Sequence, residues 1–138
     1  MKAAAIPVEV RVAVGSDVDI VTARQKGREL AAQCGLSATD LAVVATAISE
    51  LARNIVRYAV RGEIILRRID NGSKRGVEVV ATDDGPGISD VPLAMQDGYS
   101  TSGGLGLGLP GVRRLMDEFD IVSRFGKGTT VTVKKWRR

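Results

Sequence analysis

SELARNIVRYA, residues 49–59, is the stretch whose reading decides the fold. Its apolar residues continue a longer run, with Leu41, Val44, Ile48, Leu51, Ile55 and Tyr58 at steps of three and four. That period is helical and reserves one side of the helix for a core. Ser37 can cap this helix, and Asp40 stands at its third position in a capping-box-like arrangement. The pattern predicts a long helix ending near Gly62. Glu50 and Asn54 project from one side of it, bordering the core. A carboxylate and an amide stacked in this way can divide a phosphoryl-transfer task. The amide oxygen can ligate Mg2+, a hard cation that takes oxygen ligands. The carboxylate can accept a proton from an attacking hydroxyl, or orient it. Alone, such a pair is common, and a plain polar face is the simpler reading.

Downstream, GEIILRRID (62–70) and GVEVVATD (76–83) flank Asn71-Gly72, a strong turn signal, so a hairpin is expected. TDDGPGI follows at 82–88. Asp83 falls at a strand end, where a carboxylate can accept a hydrogen bond from an exocyclic amine. Gly85 and Gly87 let backbone approach a flat ring. By itself this is an ordinary Asp-Gly-Pro-Gly turn. From Asp84 to Leu109 the chain is glycine-dense and without period, far longer than the usual connection, and such loops tend to carry function.

STSGGLGLGLPGVRRLMDEF occupies 100–119. Gly103, Gly104, Gly106 and Gly108 lead into a helix expected from about Leu107 to Glu118. Backbone N–H groups and the dipole at such a helix start favour phosphate. No Gly-Lys-Ser/Thr is present, so this is not a P-loop. No strand leads directly into it, so a dinucleotide-binding turn fails as well. Pro110 fits the first turn. FDIVSR (119–124) and GTTVTVKKW (128–136) then form a second expected hairpin.

Upstream, Val8, Val10, Val12 and Val14 alternate with Glu9, Arg11 and Ala13, the period of a half-buried strand. Ser16 or Asp17 can cap a helix running to about Cys34, with Gly35 as its stop. The resulting order is strand, helix, helix, strand, strand, loop, helix, strand, strand. It fits an α+β fold of two layers, with helices on one face of a mixed, mostly antiparallel sheet, in one domain spanning 1–138.

Composition narrows the function. The 138 residues are 44 % apolar and 26 % charged, ordinary for one globular domain. No apolar run approaches the roughly 18 residues of a membrane span, and MKAAAIPVEV is not a secretory signal. Cys34 has no cysteine to pair with and reads as core filler, so a reducing cytoplasm is the expected setting. The net charge is +4 and the end is basic, with Lys134, Lys135, Arg137 and Arg138. Mixed signs along the chain and few aromatics favour a solvated basic strand end over a nucleic-acid surface. Neither nucleic acid nor membrane is an expected partner. There is no histidine, which excludes a histidine nucleophile, base or phospho-acceptor.

Taken together, Glu-x-x-x-Asn on a helix, Asp-x-Gly-x-Gly after a strand, Gly-x-Gly-x-Gly before a helix and Gly-x-Gly-Thr occur in that order. This resembles the GHKL ATPase superfamily, with its Bergerat ATP-binding fold, over nearly the whole chain. The resemblance implies that Asn54 ligates Mg2+ and Glu50 is the base. It implies that Asp83 bonds the adenine amine of ATP, with Thr129 helping through water. Gly85, Gly87 and Ile88 would line the adenine. Residues 90–102 would be the ATP lid, with Gly104, Leu105, Gly106 and Gly108 around the phosphates.

A bare domain leaves no room for the transducer of gyrase-like ATPases, and no histidine or dimerising hairpin completes a histidine kinase. TAISELARNIVRYA, DGYSTSGGLGLGLPGVRRLMDEF and the Lys-x-Trp ending resemble the RsbT-type switch kinases of bacterial stressosomes. That resemblance implies a serine/threonine kinase of STAS-domain antagonist and scaffold proteins. Once released, it would bind and activate a PP2C-type phosphatase or another output protein. The alternatives are an anti-sigma factor kinase of the SpoIIAB or RsbW type, which would hold a sigma factor, and a nucleotide-gated binding module with little catalysis. The intact Glu50 disfavours the last, because a pure binder needs no base.

Overall fold

The computed structural model describes residues 8–88, 91–95 and 108–138. Strand β1 (Glu9–Val14) leads into helices α1 (Asp17–Gln33) and α2 (Ala38–Asn54). A π-helical turn (Ile55–Ala59) extends α2. Strands β2 (Gly62–Asn71) and β3 (Lys74–Asp83) form the first hairpin. A short helix α3 (Val91–Ala94) and helix α4 (Gly108–Leu115) follow, then the hairpin of β4 (Glu118–Arg124) and β5 (Gly128–Trp136).

The sheet has the order β1-β2-β3-β5-β4. Every hydrogen-bonded strand pair is antiparallel, so the expected mixed sheet is narrowed to an antiparallel one. The reason is the placement of β5. It inserts between β3 and β4, which run in the same direction but never touch as neighbours. A parallel relation therefore exists in the topology without a parallel ladder.

Opposed residues in an antiparallel sheet share a face, and successive residues alternate between faces. Val12, Ile64, Ala81, Val131 and Ile121 form one row across all five strands. Val10, Leu66, Val79, Val133 and Phe119 form the next. Both rows belong to the core with Ile20, Leu30, Val44, Ile48 and Leu51 of the two long helices. Burial of each large aliphatic side chain here contributes about 1.5–3 kcal/mol. Cys34 joins this core, and burial pushes its thiol pKa up.

The other face carries charges. Glu9, Arg67, Glu78, Lys134 and Glu118 stand opposite one another, one from each strand, with alternating sign. Arg67 bonds Glu9 at 2.8 Å and Glu78 at 3.1 Å, and Lys134 lies 3.8 Å from Glu118.

Helix α2 starts as its sequence requires. Ser37 Oγ accepts the Asp40 N–H at 3.1 Å. Its α-helical part stops at Asn54, and the π turn carries the chain on to Ala59, short of the expected end near Gly62. Val60 then has φ 72° and ψ −51°. This is close to a strained γ-turn, rare for any residue and disfavoured for a β-branched one. Val60 is 73 % exposed, so its side chain repays little of that strain by burial. Val60→Gly is expected to stabilise the fold by about 1 kcal/mol, or raise Tm by about 3 °C. A lower melting temperature on calorimetry would refute the strain.

Helix α4 stops at Leu115, before the expected Glu118. Asp117 N donates to the Lys134 carbonyl, so the chain has already entered the sheet and Glu118 opens β4. Lys135 corrects a second expectation. It is not solvated but 7 % exposed, and its ammonium donates to the Leu115 carbonyl at 2.9 Å, beside Asp117 and Asp40. It satisfies a carbonyl left open at the end of α4. Burial pushes the Asp117 carboxyl upward, but the Trp136 N–H, Lys135 and Arg138 outweigh this and hold it below its usual range.

Candidate functional site

The next row of the sheet on the helix-covered face is Val14, Gly62, Asp83, Thr129 and Ser123. Val14 is buried in the core. From Asp83 onward the row turns polar. The apolar layer thus ends in a carboxylate and two hydroxyls at one end of the sheet.

The TDDGPGI loop is seated from both sides. Gly85 lies against Ala59 of the π turn, where any Cβ would collide with that residue's backbone and side chain. Gly87, at φ 77°, lies against the Arg124 carbonyl of the second hairpin. Gly126 N donates to the Pro86 carbonyl at 2.6 Å. Gly128, at φ 105°, leaves no space for a side chain over the Asp83 carbonyl. Gly87 and Gly128 are therefore required by close packing between the two segments and Gly85 by packing on the π turn, whereas Gly126, at φ 76°, has open space around it.

Asp83 Oδ1 accepts the Gly85 N–H at 2.8 Å. This fixes the carboxylate through one oxygen, and among the described residues no bond is made by the second. Thr129, directly opposite Asp83, shares a hydrogen bond with Ser123 Oγ at 2.8 Å. Ser123 Oγ also accepts the Ile88 N–H at 2.7 Å. Ser123 thus ties the loop to Thr129. No sequence motif marks Ser123, although closing the second hairpin over Phe125–Lys127 places it opposite Thr129.

Glu50 and Asn54 occupy the last turns of α2. Glu50 is 8 % exposed, and with Lys135 it is one of two buried charged residues among those described. A carboxylate is buried only with a partner or a task. Its Oε1 accepts from Arg53 Nη1 at 2.7 Å. Asn54 is partly exposed, and Arg57 is exposed. Gly108 is the first residue of α4, with φ 62°. Gly104, Leu105 and Gly106 lie outside the described residues, as does Ser100–Ser102. Of the expected lid, residues 91–95 alone are described. An open pocket of about 440 Å³ adjoins the site, lined by Ala59, Arg61, Gly62, Glu63, Thr82, Asp83 and Asp84.

Among the described residues no cluster of His, Cys, Asp or Glu can hold a metal by itself. Mg2+ keeps several of its ligands from water and phosphate and needs one or two from protein. A single amide such as Asn54 fits that demand.

Over residues 16–135 the chain matches the family described as the histidine kinase-like ATPase domain. It is 50 % identical over 127 residues to the serine/threonine-protein kinase RsbT of Bacillus subtilis (strain 168), covering 92 % of this chain and 96 % of that one. It is 34 % identical over 112 residues to an anti-sigma F factor of Caldanaerobacter subterraneus subsp. tengcongensis, covering 77 % of each. The fold matches the crystal structure of the RsbU and RsbW domains of Rv1364c from Mycobacterium tuberculosis with a TM-score of 0.62 and 22 % identity, over 94 % of this chain and 33 % of that one.

Proposed function

We infer that this chain, which belongs to the histidine kinase-like ATPase domain family, is an ATP-dependent serine/threonine protein kinase. The observation that carries this reading is the buried carboxylate of Glu50 on the same helix end as Asn54. In this reading Glu50 takes the proton of the acceptor hydroxyl as its oxygen bonds the γ-phosphorus and the oxygen of ADP departs. Asn54 supplies an oxygen to Mg2+, which neutralises phosphate charge when bound. The free oxygen of Asp83 accepts the adenine amine, and Thr129, held by Ser123, assists. Gly85, Gly87 and Ile88 flank the base, and Gly104, Leu105, Gly106 and Gly108 surround the phosphates.

The chain has no histidine to receive a phosphoryl group, and its similarity to a serine/threonine-protein kinase favours a serine or threonine of another protein as the acceptor. Similarity to RsbT favours STAS-domain antagonist and scaffold proteins as substrates, in the cytoplasm. It also favours a later encounter with an output protein such as a PP2C-type phosphatase. Similarity to anti-sigma F factors supports a second reading, capture of a sigma factor, but at lower identity and over less of the chain.

Incubating the chain with labelled ATP, Mg2+ and a purified STAS-domain partner is expected to move label onto the partner in a single turnover. Saturated ATP binding without transfer would sink the kinase reading. A stable complex with a sigma factor would favour the second.

A further inference from the structure

We propose that Arg53 is a positioning residue for phosphate transfer, acting through the carboxylate of Glu50. The proposal rests on the reading of Glu50 as the base. Arg53 follows Glu50 by one helical turn, and its Nη1 donates to Glu50 Oε1 at 2.7 Å. The two ends of this pair sit in different surroundings. The Glu50 side chain is 11 % exposed and that of Arg53 is 36 % exposed, so a partly exposed arginine holds a nearly buried carboxylate.

This pair differs from the other buried charge. The Lys135 ammonium meets a carbonyl and two carboxylates, a closed structural set. Among the described residues Glu50 is held by one donor, Arg53 Nη1, at Oε1. A guanidinium keeps its protons at any working pH and cannot serve as a base. What it can do is fix the carboxylate rotamer through Oε1 and leave Oε2 to meet the acceptor hydroxyl. Transfer depends steeply on such orientation, and a misplacement of about 1 Å can cost about 100-fold. The residues on the ion-pair-rich open face of the sheet satisfy one another in the same way but have no reacting group among them.

A double-mutant cycle tests this, using Arg53→Met, which keeps the aliphatic stem, Glu50→Gln, and both together. Arg53→Met is expected to lower kcat for transfer roughly 100-fold. Its KM for ATP, ATP affinity by calorimetry and melting temperature should stay within about twofold or a few degrees of the unmodified chain. Arg53→Lys should recover part of the loss, and so should added guanidinium with Arg53→Met. In the Glu50→Gln background, Arg53→Met should cost nothing further, since both act at one point. An independent, multiplying loss would overturn the proposal and move Arg53 elsewhere, for instance to a phosphate. So would a fall in ATP affinity matching the fall in kcat, or full kcat in Arg53→Met while Glu50→Gln is crippled. Transfer at the normal rate by Glu50→Gln would instead overturn the base assignment on which the proposal rests.

Discussion

Glu50→Ala is expected to slow phosphate transfer by about 10²- to 10⁴-fold while ATP binding survives. Three features separate the two effects. Glu50 carries a negative charge, so removing it takes no attraction away from a triphosphate. Its helix is anchored by Val44, Ile48 and Leu51, and the π turn after it by Ile55, all buried independently of it. Its partner Arg53 is partly exposed and can turn to water, so no buried charge is orphaned. Single-turnover transfer and calorimetric titration with Mg·ATP, on the same preparation, measure the two quantities. Normal transfer would remove Glu50 from the chemistry. Loss of ATP binding alongside transfer would mean that the substitution disturbs the pocket rather than the reaction.

Asp83→Asn is expected to raise the Kd for ATP by about 10- to 100-fold, the cost of a charge-assisted hydrogen bond of about 1.5–3 kcal/mol. The change is confined by geometry. An asparagine carbonyl oxygen can still accept the Gly85 N–H that Asp83 Oδ1 accepts at 2.8 Å. The loop keeps its anchors on Ala59 and the Arg124 carbonyl. What changes is the second position, where an NH2 group then faces the adenine amine, donor against donor. ATP should lose affinity, while a nucleotide presenting an acceptor at that ring position should lose less. Equal affinity of both proteins for ATP would detach Asp83 from the base and place the pocket elsewhere.

Much of this architecture was legible because short-range rules agree with the tertiary structure. Ser37 and the three-and-four spacing through Ile55 mark α2, and Asn71-Gly72 marks the first hairpin. In sequence Gly85 and Gly87 read as room for a flat ring, and the structure sets Ala59 and the Arg124 carbonyl against them instead. The candidate site residues stand out in the sequence for a related reason: they lie at element ends, where the periodic pattern stops and residue types become specific. The parts that escaped depend on distant segments. Nothing local says that β5 enters between β3 and β4. The π turn has no residue signature, because its i→i+5 bonding leaves the apolar spacing almost unchanged. Lys134 and Lys135 look alike in sequence. Only the arrival of the last turn of α4 over one of them makes it a buried cap and leaves the other in the charge row. Arg53 sits at helical contact distance from Glu50, but a side chain that long has many rotamers, and its choice of partner emerges only from the fold.

The charge row on the open face has five members, an odd number, and it begins and ends with glutamate. Glu9 stands on one outer strand of the sheet and Glu118 on the other. Outer strands carry unpaired backbone groups and invite a second copy to extend the sheet, the first step of edge-to-edge aggregation. At this level either border of a neighbouring copy presents an acid, so any side-by-side addition in register sets carboxylate against carboxylate. The alternation that knits five strands together thus leaves this row without an opposite charge to meet across either border.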